Sequence, residues 1–170
     1  PSSDLYSLEV QTDLGFKVTG TVGYSGSSGR HYARLVDQDF LYTTSGAPFG
    51  DFFRAQTDSV QNYNAFNAQL RRSGRYLTLS AVYTYAKSLD QLSNGDGADS
   101  NANQTNPANN ASEYGPSDYN LKHRVVATVL YQTPSLHTDN ALIAAVVNGW
   151  QINGTYTYHT GFPWTPVTGN

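Results

Sequence analysis

Apolar and polar residues alternate along most of this chain. In residues 5–14, Tyr6, Leu8, Val10 and Leu14 fall on one side, and Ser7, Glu9, Gln11 and Asp13 on the other. Residues 16–25 set Phe16, Val18, Val22 and Tyr24 against Lys17, Thr19, Thr21 and Ser25. Residues 62–72 set Phe66, Ala68 and Leu70 against Asn67, Gln69 and Arg71. Residues 76–87 set Leu77, Leu79, Ala81, Tyr83 and Tyr85 against Thr78, Ser80, Thr84 and Ala86. Residues 123–132 repeat the pattern less cleanly, with Val125, Ala127, Val129 and Tyr131 opposite Arg124, Val126, Thr128 and Leu130. The last segment, within "NGWQINGTYTYHTGFPWTP", opposes Trp150, Ile152, Gly154, Tyr156 and Tyr158 to Gln151, Asn153, Thr155, Thr157 and His159. A period of two is the mark of a strand whose two faces meet different surroundings. The pattern predicts an all-β chain, an antiparallel meander of about six long strands.

The faces say what those surroundings are. The apolar sides carry no charge through their centres; Arg72 and Lys87 sit at strand ends. A lipid bilayer imposes that rule, since a charge at mid-membrane on a lipid-facing strand costs about 2–4 kcal/mol. A buried sandwich core imposes it too. The polar sides discriminate: they are Thr, Ser, Asn and Gln with few charges, closer to a crowded lumen than to a surface in bulk water. Connections also alternate, tight around Gly15 and Gly74, and long over residues 26–61 and 88–121. Residues 133–147 are intermediate, and their "ALIAAVV" is expected to extend the sheet or pack locally. Short turns at one end and long loops at the other are the outer-membrane barrel arrangement. Aromatics gather at both ends of the apolar faces: Tyr24, Tyr83, Tyr85 and Tyr158 toward the long loops, and Phe16, Tyr76, Tyr131 and Trp150 toward the short turns. Two such girdles suit rings held between lipid and water.

Composition sharpens this. Only 14% of the 170 residues are charged, against about 25% in an ordinary soluble domain. Mean hydropathy is nonetheless −0.49. The difference is made up by uncharged polar residues and thirteen tyrosines. There is no cysteine, which excludes disulfides and thiolate metal sites. No apolar run approaches the roughly 18–20 residues of a membrane helix. The net charge of −3 gives no basis for nucleic-acid binding. The chain has no methionine and no leader pattern at its start, which fits a mature chain or an internal portion of a longer one.

Longer motifs go beyond pattern. "VTGTVGYSGSSGRHYAR" from Val18, "QNYNAFNAQLRRSGRYLTLSAVYTYAKSLD" from Gln61, "EYGPSDYNLKHRVVATVLYQTP" from Glu113 and "NGWQINGTYTYHTGFPWTPVTGN" from Asn148 resemble, in order, strands in the barrels of Oar-like TonB-dependent receptors. The resemblance covers about residues 18–170. It implies a protein of the bacterial outer membrane, with a carboxypeptidase-regulatory-like domain, a plug and a barrel of about 22 strands, of which residues 1–170 would be a part. It implies transport of an external ligand, with outer-membrane lipid around the wall and a TonB-type energy-coupling protein acting through a plug domain that this sequence does not contain. Lumen-facing positions on the substrate path would then be Gln69, Arg71, Gln151, Asn153, Thr155 and His159. Interface aromatics would be Tyr24, Tyr83, Tyr85, Tyr131, Trp150 and Tyr158. Two alternatives remain at this point: a small eight-strand structural or adhesive outer-membrane barrel, and a soluble β-sandwich that binds carbohydrate.

No enzyme chemistry is expected. "GYSGSSG" lacks the second glycine of a nucleophile elbow and no helix pattern follows it. The four histidines are scattered, and no metal or other cofactor is expected. "SNGDGADSNANQ" departs from the calcium-loop spacing and reads as a loop of turn formers. In "EYGPSDYNLKHR", Gly115-Pro116 reads as a turn, and Asp118 is expected to cap or to pair with Arg124, with Lys122, His123 and Arg124 as lumen candidates.

Overall fold

The computed structural model describes residues 1–37, 53–93, 106, 108–135, 137 and 141–164. Six long strands form a single antiparallel meander: β1 Ser2–Gly15, β2 Val18–Asp37, β3 Phe53–Ser73, β4 Leu77–Asp90, β6 His123–Gln132 and β7 Gln151–His159, paired in that order. A two-residue strand, β5 Gly115–Pro116, pairs with β4 at Leu89 and Asp90. The predicted all-β meander is the observed fold.

Register decides which side chains share a face, because directly paired residues point the same way. Val10 pairs with Val22, Val22 with Ala68, Ala68 with Tyr83, Tyr83 with Val125 and Val125 with Tyr158. The apolar sides of all six strands therefore join into one continuous surface. The polar sides join likewise: Gln11, Thr21, Gln69, Val82, Val126 and Thr157 form one row across the sheet.

Burial is inverted relative to a water-soluble protein. Among the described residues Val36, Ala65 and Ala86 are the buried apolar ones, whereas Leu8 is 73% exposed and Tyr156 63%. Ala65 and Ala86 pair with each other in the Ser7–Ser25 row, on the polar face. Apolar side chains at full exposure on a continuous sheet face require a non-aqueous neighbour.

The two short ends are tight turns, and the first is displaced from Gly15. Gly15 pairs with Val18, so the first hairpin turns on Phe16 and Lys17, both at positive φ (53° and 63°). Two-residue turns of this hand match the right-handed twist of the flanking strands. Gly15, at φ 83°, closes the turn, and its N–H donates to Asp13 Oδ1 at 2.8 Å. The second hairpin closes with Gly74 N–H donating to Leu77 O at 2.9 Å.

Three expectations are corrected. "ALIAAVV" is a helix, α1 Ala141–Val147, and not sheet; its Leu142, Ile143 and Val146 are exposed. The region 26–61 is largely strand, because β2 runs to Asp37 and β3 begins at Phe53. Gly115-Pro116 is a strand pairing rather than a turn. The Asp/Asn-rich stretch 94–105 lies outside the described residues.

Candidate functional site

The sheet offers three chemically distinct surfaces: an apolar face, a polar face, and a polar layer beyond the long-loop end.

The apolar face has a definable height. From Leu77 to Lys87, ten residue steps give about 33 Å along the strand, or about 25 Å once tilted by roughly 40°. That is the height of the lipid band of an outer-membrane barrel. Its upper border is polar. Tyr6 and Tyr24 stack with ring centroids 6.2 Å apart, and their hydroxyls both donate to Asn64 Oδ1, at 2.7 and 2.6 Å. The Tyr6 ring lies across Gly26, where a Cβ would meet ring atoms at 2.5 Å and push the ring aside. Asn64 pairs with Lys87. Farther along the border, Tyr83 hydroxyl and His123 Nδ1 are hydrogen-bonded at 2.8 Å, with Tyr85 5.2 Å from the same imidazole. The lower border carries Phe16, Tyr76, Tyr131 and Trp150. Arg75 sits 5.2 Å over the Tyr76 ring, a cation–π contact.

All six predicted interface aromatics lie on this face by register or at its border. Tyr24, Tyr83, Tyr85 and Tyr158 stand toward the loops; Tyr131, paired with Ile152, and Trp150 stand toward the turns. Trp150 is fixed beyond the end of β7: its N–H donates to Thr133 Oγ1 at 3.1 Å, and its indole N–H donates to Val146 O at the end of α1.

The polar face collects the predicted lumen residues. Arg71, Ser80, Thr128 and Thr155 form one row, and Asn67, Thr84, Arg124 and His159 another. Gln69, Gln151 and Asn153 share the face through Val82, Gln132 and Leu130 respectively. Side-chain bonds run along it: Thr84 Oγ1 donates to Asn67 Oδ1 at 2.9 Å, and Asn67 Nδ2 reaches Ser25 Oγ at 3.4 Å. His123 does not belong here. Paired with Tyr85, it points to the apolar side, because adjacent strand residues face opposite ways.

The third surface was not legible in the sequence. Above the lipid band β2 and β3 stay paired, with register shifts between Gly29 and Tyr32 and between Tyr32 and Arg34; His31, at φ 60°, lies in the shift. Arg34, 3% exposed, grips Asp58 with Nε to Oδ1 at 2.6 Å and Nη2 to Oδ2 at 2.8 Å. That guanidinium hydrogen bond is the main cause holding the Asp58 carboxyl below the usual carboxylate range. Residues 110–121 are stitched to the end of β4. Ser117 N–H donates to Ser88 O at 3.0 Å, Ser88 N–H to Asn120 Oδ1 at 2.8 Å, and Asp118 N–H to Ser93 Oγ at 2.8 Å. Ser93 in turn donates to the Asp90 carboxylate at 3.0 Å. Asp118 thus anchors through its backbone, and it forms no ion pair with Arg124 among the described residues. The described residues hold no cluster of three or more His, Asp or Glu suited to a metal ion.

An inverted sheet with a lipid-height apolar band, aromatic borders and a polar reverse face is the wall of a transmembrane barrel. The family model for an outer membrane beta barrel domain matches residues 1–170. The chain belongs to this family. No curated protein and no solved structure matches it. As an outer-membrane β-barrel domain the protein resides in the bacterial outer membrane, with its apolar face on lipid. In barrels of this membrane the short turns face the periplasm and the long loops face outward, so the Arg34–Asp58 layer is extracellular. No described helix is long and apolar enough to cross a membrane; the crossing is made by strands.

Proposed function

We propose that this domain is part of the wall of a TonB-dependent receptor that captures a ligand outside the cell and admits it through the lumen. The observation that carries the reading is the pairing of two polar surfaces on one sheet. A bonded extracellular layer stands above a row-ordered polar face bearing Gln69, Arg71, Gln151, Asn153, Thr155 and His159. The layer offers fixed donors and acceptors where a ligand arrives, and the face offers successive polar rows along the way in. The resemblance of four motifs, in order, to Oar-like receptors adds to it. The outer membrane has no ATP, so work on the ligand would come from the inner membrane through a TonB-type partner acting on a plug.

The test uses the full-length receptor in its native host. Uptake of labelled iron–siderophore, cobalamin and oligosaccharide probes is compared in wild type, a receptor deletion and a TonB deletion. The expected result is loss of uptake of one probe in both deletions. Uptake of a probe that needs the receptor but not TonB would replace transport by coupling with passive passage. Retention of uptake of every probe in the receptor deletion would sink the reading.

A further inference from the structure

We propose that Arg124 and His159 form an oxyanion-binding station on the polar face, so that the ligand admitted along this wall carries a carboxylate or phosphate group. The inference rests on the transport reading and names the class of ligand for it.

Arg124 on β6 and His159 on β7 are direct register partners, both exposed. The next pair along, His123 and Thr160, carries a ladder bond: Thr160 N–H donates to His123 O at 3.0 Å. Alternation makes Arg124–His159 a non-hydrogen-bonded pair, the kind in which side chains of an antiparallel sheet stand closest, with Cβ atoms about 4.5–5.5 Å apart. Two basic side chains so placed oppose the pairing when both are charged. A neighbouring carboxylate would relieve that, yet neither residue has an ion pair among the described residues. The acids of this wall are placed elsewhere. Glu9 shares the row but stands at its far edge, beyond Gly23, Asn67 and Thr84. Four strand intervals at about 4.8 Å put it roughly 19 Å from Arg124, past the ~8 Å over which salt screens a charge. Asp90 accepts from Ser93 Oγ and Glu113 from Asn106 N–H. The Thr84 hydroxyl beside Arg124 is turned to Asn67.

The chemistry of the two groups says what would fill the vacancy. Arg124 offers a planar fork of N–H donors that matches the paired oxygens of a carboxylate or phosphate. His159 Nδ1 lies 2.9 Å from Thr160 O. A carbonyl only accepts, so Nδ1 carries a proton, and Nε2 is left for the ligand. Nε2 accepts from a ligand hydroxyl when the ring is neutral and donates to an oxyanion when it is charged. Lys122, two residues before Arg124, adds positive charge to the same end of β6. Arg124 is the second residue of β6 and His159 the last of β7, so the station lies at the extracellular ends of both strands, where a ligand enters. The chain leading into β6 is fixed there by the bonds of Ser117 and Asn120 to Ser88. Cations along a cleft with low-dielectric walls focus their field and raise the local concentration of anions.

The experiment uses the full-length receptor purified in a neutral detergent at low salt. Citrate and pyrophosphate, one a carboxylate probe and one a phosphate probe, are titrated in by calorimetry. Wild type is expected to bind at least one of them, and the tighter of the two identifies the group on the ligand. R124Q should weaken that binding about tenfold and H159Q several-fold, while R124K, which keeps the charge and loses the fork, should retain part of it. Heat-modifiable migration confirms that each variant is folded. The inference is overturned if wild type binds neither probe, or if folded R124Q and H159Q both bind like wild type. Binding in detergent needs no energy coupling, so the two readings fail separately. Anion binding without TonB-dependent uptake would remove the transport reading alone. TonB-dependent uptake of an uncharged ligand, at the wild-type rate in R124Q, would remove this one alone.

Discussion

Arg34 is all but sealed from solvent, and its carboxylate partner is 46% exposed on its side chain. That asymmetry sets what the pair does. Removing Asp58 leaves a buried guanidinium short of an acceptor, so D58N should loosen the extracellular end of the β2–β3 hairpin by about 1–2 kcal/mol, less than a fully buried pair would give. Acid should do the same. The carboxyl is depressed in the folded state, so its contribution is present above the ordinary carboxylate pKa and fades as pH falls through the lower, folded one. Hydrogen exchange of amides 54–60 in the detergent-folded protein would show faster exchange on acidification after correction for intrinsic rates. D58N should abolish that pH dependence; an unchanged dependence in D58N would assign it elsewhere. A second residue-scale prediction concerns Phe16 and Lys17. Both hold positive φ in the first hairpin turn, a conformation costing an L-residue about 1–2 kcal/mol. F16N/K17G should therefore raise the urea midpoint of the folded barrel, at the expense of one girdle aromatic.

At the scale of the element, neighbouring residues on one strand face opposite media. Ala127 lies on the lipid side of β6 and Thr128 on the polar side. A127K should cost about 2–4 kcal/mol of folding in phospholipid vesicles, and T128K less than about 1 kcal/mol. Equal costs would refute the assignment of faces. The second girdle likewise depends on an element that periodicity missed. Residues 141–147 are apolar throughout, and a short apolar run does not distinguish strand from helix. Here it forms a helix whose terminal carbonyls hold Trp150: Val146 O accepts from the indole, and Gly149, at φ 80°, turns the chain back into β7.

For the whole molecule, the inverted burial has a solvent consequence. The extended apolar face has no partner in water, and β1 and β7 leave unpaired edges among the described residues, which hydrocarbon tolerates only when paired. The full-length barrel should show no cooperative transition in plain buffer. It should fold, with heat-modifiable migration, on dilution into detergent or vesicles. Cooperative folding of a soluble monomer without either would return the carbohydrate-binding sandwich to consideration.

Much of this was determined by the sequence alone. A period of two assigns every strand residue to one of two faces, and the absence of charge from one of them is local information, carried by each strand independently. That is why the meander, and the face on which each strand residue lies, could be named before any pairing was known. What the tertiary structure decided depends on register, which joins residues distant in the chain. Register aligns six apolar sides into one surface and turns His123 toward Tyr83. The extracellular layer belongs here too. Ser117 and Asn120 sit in a stretch rich in turn formers, and nothing in their local pattern signals bonding to Ser88. Only the packing of residues 110–121 against the end of β4 gives those polar groups their partners, because a buried donor or acceptor is satisfied by whatever the fold brings within 3 Å.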